Sequence, residues 1–175
     1  MILIAPNSFA ADLERGFMDY TWGQNIKELP NLDKLYAKKH ITYYSNPGET
    51  YILENIAIND IVFGFYDSQL LGVYIGIDSL EKYDKIMAHM RDKYGLPSVK
   101  ISSSEKLTTH KWKYKDVTIK LKADQIDADM KLAFYYDPLS DVLRKEKLTE
   151  VSDDSFRFFP IDKDEKPRMI PFLEF

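Results

Sequence analysis

The chain has 175 residues, 45% of them hydrophobic and 30% charged, with 24 basic against 28 acidic residues and a net charge of −4. Its 12 tyrosines, 10 phenylalanines and 2 tryptophans are enough for one packed core and exclude a disordered chain, and the length suits one domain. The acidic balance disfavours a nucleic-acid partner, no run of about 18 apolar residues offers a helical membrane span, and the absence of cysteine removes disulfides, thiolate metal sites and a cysteine nucleophile.

At the N-terminus, Met1 to Ala5 is apolar and Ser8-Phe9-Ala10 precedes Ala11-Asp12, a small-residue cleavage pattern. Residues 1–10 are therefore expected to be a signal-peptide remnant, which places the mature chain in the periplasm or outside the cell. A charged leading region is missing and the apolar run is short, so the cytoplasm is the alternative.

Thr21 with Gln24 three residues on reads as a capping box for a short helix that Pro30 stops. Leu35 to Tyr44 reads as a strand closed by Asn46-Pro47-Gly48, and Thr50 to Ile58 as the next. Ile61 to Tyr66 and Gln69 to Ile77 follow, joined by Asp67-Ser68 as a two-residue hairpin. Gly64, Gly72 and Gly76 are costly inside strands and signal a bulge or a close approach of another element. Leu80, Tyr83, Ile86, Met87, Met90 and Tyr94 then recur at helical spacing, with Asp78 and Glu81 at the start and Gly95 and Pro97 at the end. This helix is expected to lie on the sheet, burying Leu80, Tyr83, Ile86, Met87 and Met90.

Val99 to Leu107 is rich in serine and reads as a loop. Thr108 to Tyr114, Val117 to Lys122 and Met130 to Tyr136 read as three more strands, the middle one alternating apolar and polar positions. Asp137-Pro138 opens a last helix carrying Leu139, Val142, Leu143 and Leu148. The expected fold is α+β, an antiparallel sheet of six or seven strands with two or three helices packed mainly on one face. The domain spans 11–149, and the aromatic segment 150–175 is expected to pack back on it or to pair with an edge strand. The echo between Phe63–Asp67 and Leu132–Asp137 raises the idea of a duplicated helix-plus-meander unit.

Trp22-Gly23 at the start of a helix, Lys93-Tyr94-Gly95-Leu96-Pro97 at the end of another and Trp112 in the following strand resemble a loose class of exported bacterial domains over about Gly16 to Asp137. The plan also looks like that of outer-membrane assembly lipoproteins and β-lactamase-inhibitor-type domains. The chain lacks the lipobox cysteine of the former and has a single helix per half where those have two, so no functional residue carries over.

The chemistry-bearing residues are sparse. His40, His89 and His110 have no second ligand at metal spacing, and Lys85 and Lys93 flank His89 one helical turn away on either side. Asp124, Asp127 and Asp129, like Asp162, Asp164 and Glu165, fall between elements and lack the calcium-loop pattern, so they read as turn formers. Ser102, Ser103 and Ser104 have no nucleophile-elbow context. Lys111, Lys113, Lys115, Lys120 and Lys122, interleaved with Trp112 and Tyr114, read either as a basic strip for an anionic partner or as the solvated face of a hairpin. The expectation is a non-enzymatic binding or assembly domain without cofactor or metal, holding a protein partner on a sheet face or edge. Trp112, Tyr114, Phe156, Phe158, Phe159 and Phe172 are the candidate contacts. A pocket protein for a small apolar ligand and an unrecognised hydrolase are the alternatives.

Overall fold

A computed structural model describes residues 13–145, apart from 39, 49, 54, 59, 60, 105 and 127. The expectations for residues 1–10 and 150–175, including Phe156, Phe158, Phe159 and Phe172, lie outside the described residues.

The chain is α+β. A short hairpin, β1 (Gly16–Phe17) and β2 (Tyr20–Thr21), leads into a single 3-10 turn at Ile26–Glu28. Gln24 Oε1 accepts the Thr21 N–H at 3.1 Å, as a capping box requires, but Asn25 is the residue that caps the turn, accepting from Lys27 N at 3.0 Å. The strands β3 (Asp33–Lys38) and β4 (Ile41–Ser45) form a hairpin where one strand was expected. A second hairpin, β5 (Tyr51–Leu53) and β6 (Ile56–Ile58), replaces the strand expected over Thr50–Ile58. Asn55, at φ 70°, adopts the left-handed conformation that breaks that strand.

Next come β7 (Ile61–Tyr66) and β8 (Gln69–Ile77), joined through Asp67 and Ser68, both at positive φ as a type I′ turn requires. The helix α1 (Leu80–Tyr94) follows. Then β9 (Ser98–Ser102), β10 (Leu107–Tyr114), β11 (Val117–Asp124) and β12 (Met130–Tyr136) lead to α2 (Asp137–Lys145). Among the described residues the main sheet is wholly antiparallel, has eight strands rather than six or seven, and runs β3-β4-β7-β8-β12-β11-β10-β9. It consists of two four-stranded meanders joined where β8 pairs with β12. The echoing segments lie in β7 and β12, the two neighbours of β8 and thus the third and fourth strands of their meanders. Their likeness therefore follows from shared burial at the centre of the sheet.

The two helices divide between the faces of this sheet. Alternate residues of β12 show the division: Met130, Leu132 and Phe134 join one buried cluster, Ala133 and Tyr135 the other. The first face is covered by α1 through Ile86, Met87 and Met90, by the β1–β2 hairpin, and by Tyr51, Ile56 and Ile58 of β5–β6. Trp22 donates to the Leu13 carbonyl at 2.8 Å and stacks on Tyr136, fixing the N-terminal hairpin there. The second face is covered by α2, whose Leu143 is fully buried beside Leu71, Tyr74 and Tyr135.

The glycine expectation is met at one place. Gly64 pairs with Gly72 but Phe65 pairs with Leu70, so Leu71 is an extra residue in β8 and makes a bulge. A Cβ on Gly64 would stand 2.9 Å from the Tyr74 ring, and one on Gly72 would stand 2.8 Å from the Phe134 carbonyl oxygen. The paired glycines thus form the floor on which Tyr74 lies.

The helix α1 is capped by Ser79 rather than Asp78: Ser79 Oγ accepts from Lys82 N at 3.3 Å, while Asp78 instead pairs with the Lys82 ammonium at 2.8 Å. Ile86, Met87 and Met90 are buried as expected, Tyr83 is half-buried and Leu80 is exposed. Gly95 ends the helix at φ 78° and ψ −163°, a conformation essentially restricted to glycine.

Candidate functional site

Period-two alternation sends the residues of β10 and β11 to opposite faces, and cross-strand register aligns those that share one. On the first face His110 stands opposite Leu121, Trp112 opposite Ile119 and Tyr114 opposite Val117. On the second face Thr109 stands opposite Lys122, Lys111 opposite Lys120 and Lys113 opposite Thr118. The aromatic and basic residues that interleave in the sequence are therefore separated by the thickness of the sheet.

The expected contact residues Trp112 and Tyr114 lie with the core on the first face. Trp112 is 3% exposed and donates its indole N–H to the Gly95 carbonyl at 2.8 Å, tying β10 to the end of α1. Tyr114 is half-buried, edge-on to Tyr94 at 5.4 Å. Both have packing roles here. His110 also faces α1, with Nδ1 3.2 Å from the Tyr83 hydroxyl. Burial, then the Arg91 charge, holds the His110 pKa below its usual 6.5, while burial pushes Tyr83 up to about 12. The phenol therefore stays protonated, and the direction of its hydrogen bond with Nδ1 is set by the tautomer of the His110 ring. His40 is exposed on the β3–β4 turn.

On the second face a lysine field crosses four strands. One row runs Lys100, Thr109, Lys122, Lys131, and the next runs Ser98, Lys111, Lys120, Ala133. Lys113 stands one row further on. Lys100, Lys111 and Lys113 are exposed and Lys120 is half-buried, while Lys122 and Lys131, directly opposite one another, are each 1% exposed. Lys113 pairs with the Asp137 carboxylate that opens α2, and Thr118 Oγ1 donates to the same oxygen at 3.1 Å. The Lys120 ammonium lies 5.3 Å from the centre of the Tyr135 ring. From Tyr135 a row of rings continues across the second face, to Tyr74 at 5.6 Å, Tyr43 at 6.0 Å and Tyr36 at 4.8 Å. Burial, then Tyr135, Tyr43 and Tyr36, raises the Tyr74 pKa well above its usual value, so this hydroxyl stays neutral.

The field ends at β9, the outermost strand. The segment expected to be a serine-rich loop pairs with β10 from Ser98 to Ser102, and only the residues after Ser102 turn away. Lys100 continues the lysine face, whereas Val99 and Ile101 point to the first face and are 53% and 69% exposed. Sequence reasoning missed Lys100 and Lys131 as members of the basic strip, and Val99 and Ile101 as strand residues. The alternation Val99-Lys100-Ile101 was the available signal.

Among the described residues no group of three histidine, aspartate or glutamate side chains gathers where it could hold a metal. Asp124 accepts the Ile126 N–H at 2.8 Å, the contact of a turn former. No helix among the described residues is long and apolar enough to cross a membrane.

No family model, curated protein or solved structure matches the chain. The two glycines of the Trp-Gly and Tyr-Gly-x-Pro likeness each have a local role: Gly23 takes φ 74° after β2, and Gly95 ends α1.

Proposed function

We propose that this chain is a non-enzymatic binding domain that holds an acidic segment of a protein partner on the lysine face of β9, β10 and β11. The observation that carries the reading is the exposure of Lys100 and Lys111 on one face of adjacent strands, in a chain of net charge −4. Packing does not require them, because exposed positions accept neutral polar residues equally well. A partner carboxylate is attracted to them, which speeds encounter.

Two features favour a peptide over a nucleic acid. Proteins that bind single-stranded nucleic acid stack bases on exposed aromatic rings, whereas Tyr135, the ring beside Lys120, is only 3% exposed. The field also ends at a strand edge, whose backbone groups suit a polypeptide. Export to the periplasm or beyond belongs to the same reading, supported by the cleavage pattern at Ser8-Phe9-Ala10.

Poly-L-glutamate and oligo-dT are the probes. The wild-type chain is expected to bind poly-L-glutamate, more weakly as salt rises, and Lys100→Glu/Lys111→Glu to lose about tenfold or more of that affinity. Both positions are exposed, so circular dichroism should show an unchanged fold. Unchanged affinity in the double variant would overturn the reading, and tighter binding of oligo-dT would transfer it to nucleic acid.

A further inference from the structure

Among the described residues β3 and β9 are the two edges of the sheet, and they are built differently. The outer strand β3 carries charges of both signs, Asp33, Lys34 and Lys38, and its pairing with β4 is interrupted between Lys34 and Tyr36. Mixed charge and a bulge are the usual protections of an edge against another strand. The other edge, β9, pairs in unbroken register with β10 over five residues and has one charge, Lys100. Its Val99 and Ile101 stay largely exposed, and Leu96, just before it, is 87% exposed. Such a strand invites pairing unless something selects the partner.

Each face of β9 selects differently. A strand laid against it would place alternate side chains on opposite faces of the extended sheet. On one face they would meet Val99 and Ile101. On the other they would meet Lys100, with Lys111 and Lys120 behind it in the next row. We infer that β9 is a strand-addition site for an extended segment of the partner that alternates carboxylate with apolar side chains, the carboxylates lying on the lysine face and the apolar groups against Val99 and Ile101. This rests on the binding reading above and specifies how the partner is held.

A second copy of the chain is another strand at hand, and its chemistry fits less well. The sequence Ser98-Val99-Lys100-Ile101-Ser102 is symmetric about Lys100. Two-fold antiparallel pairing of β9 with itself would match Val99 with Ile101 of the other copy, but would set Lys100 against Lys100 on the axis. Directly opposed like charges disfavour that register. An acidic partner strand has the same apolar contacts without the repulsion.

The test compares two short peptides of one composition, one alternating glutamate with valine and the other with its glutamates in a single block. Fluorescence anisotropy with the full chain should show the alternating peptide binding about tenfold or more tightly. Val99→Ser/Ile101→Ser should remove that preference, and Lys100→Glu/Lys111→Glu should weaken both peptides. Hydrogen exchange should slow at β9 amides only with the alternating peptide. Equal binding of the two peptides, still lost on lysine reversal, would overturn strand addition and leave the lysine face as the site. Failure of the wild-type chain to bind either peptide would overturn both readings. Sedimentation showing a dimer that Val99→Ser/Ile101→Ser dissolves would assign the edge to a second copy and overturn the acidic-strand inference.

Discussion

Lys111 and Trp112 are chain neighbours that end on opposite sides of the sheet, the ammonium in solvent and the indole bonded to the last carbonyl of the α1 cap. That separation decides between the two readings of the basic strip. Aromatic and cationic groups one residue apart in a strand cannot cooperate on one surface, because the side-chain period is two. The same rule put His110 on the core side, against Tyr83. Its pH behaviour follows. Burial and Arg91 lower the folded pKa below the value of about 6.5 expected in the unfolded chain, so the fold favours the neutral ring. The contribution of His110 to stability is thus fully present above about pH 6.5 and is lost as pH falls through the folded pKa. Urea denaturation at pH 7 and pH 5 should show a smaller loss of stability in His110→Gln than in the wild-type chain. An identical loss in both would mean that His110 is not desolvated against α1.

Among the elements, those with a complete local signature were legible in the sequence: α1 from its periodicity and terminal glycine, β7 and β8 from their turn, and β10 to β12 from alternation. The departures share a cause, which is that turns can be made by residues that also suit strands. Asn55 splits one expected strand, and a two-residue connection between Lys38 and Ile41 splits another. In β9 the serines masked a short alternating strand. Strand edges carry the weakest signal because half their backbone pairing is missing and few of their side chains are buried. The helix α1 offers the sharpest stability test, since Ile86 is 1% exposed among sheet residues. Ile86→Ala should cost about 2–5 kcal/mol by denaturant unfolding, whereas Leu80→Ala, at an exposed site, should cost much less. A near-zero effect at Ile86 would mean that this face of α1 is solvated.

At the scale of the whole molecule, two meanders meet at β8 and β12, each face has its own helix, and the second face changes character across its width. From β3 to β12 it is aromatic, with α2 packed on β8 and β12; from β12 to β9 it is cationic and increasingly exposed. Net charge hid this pattern. A chain of −4 reads as unsuited to a nucleic acid, yet screening confines exposed charges to a range of about 8 Å at physiological salt, so the local field governs contact. Composition located neither the gathering of lysines nor the edge, because both depend on the register that sets Lys111 opposite Lys120 and Lys100 one row away on β9. The most direct test of the lysine face is amide chemical-shift mapping with the alternating glutamate-valine peptide. The shifts are expected at Ser98–Ser102 and at Lys111 and Lys120, and shifts concentrated instead on α1 or on the β5–β6 hairpin would contradict the account.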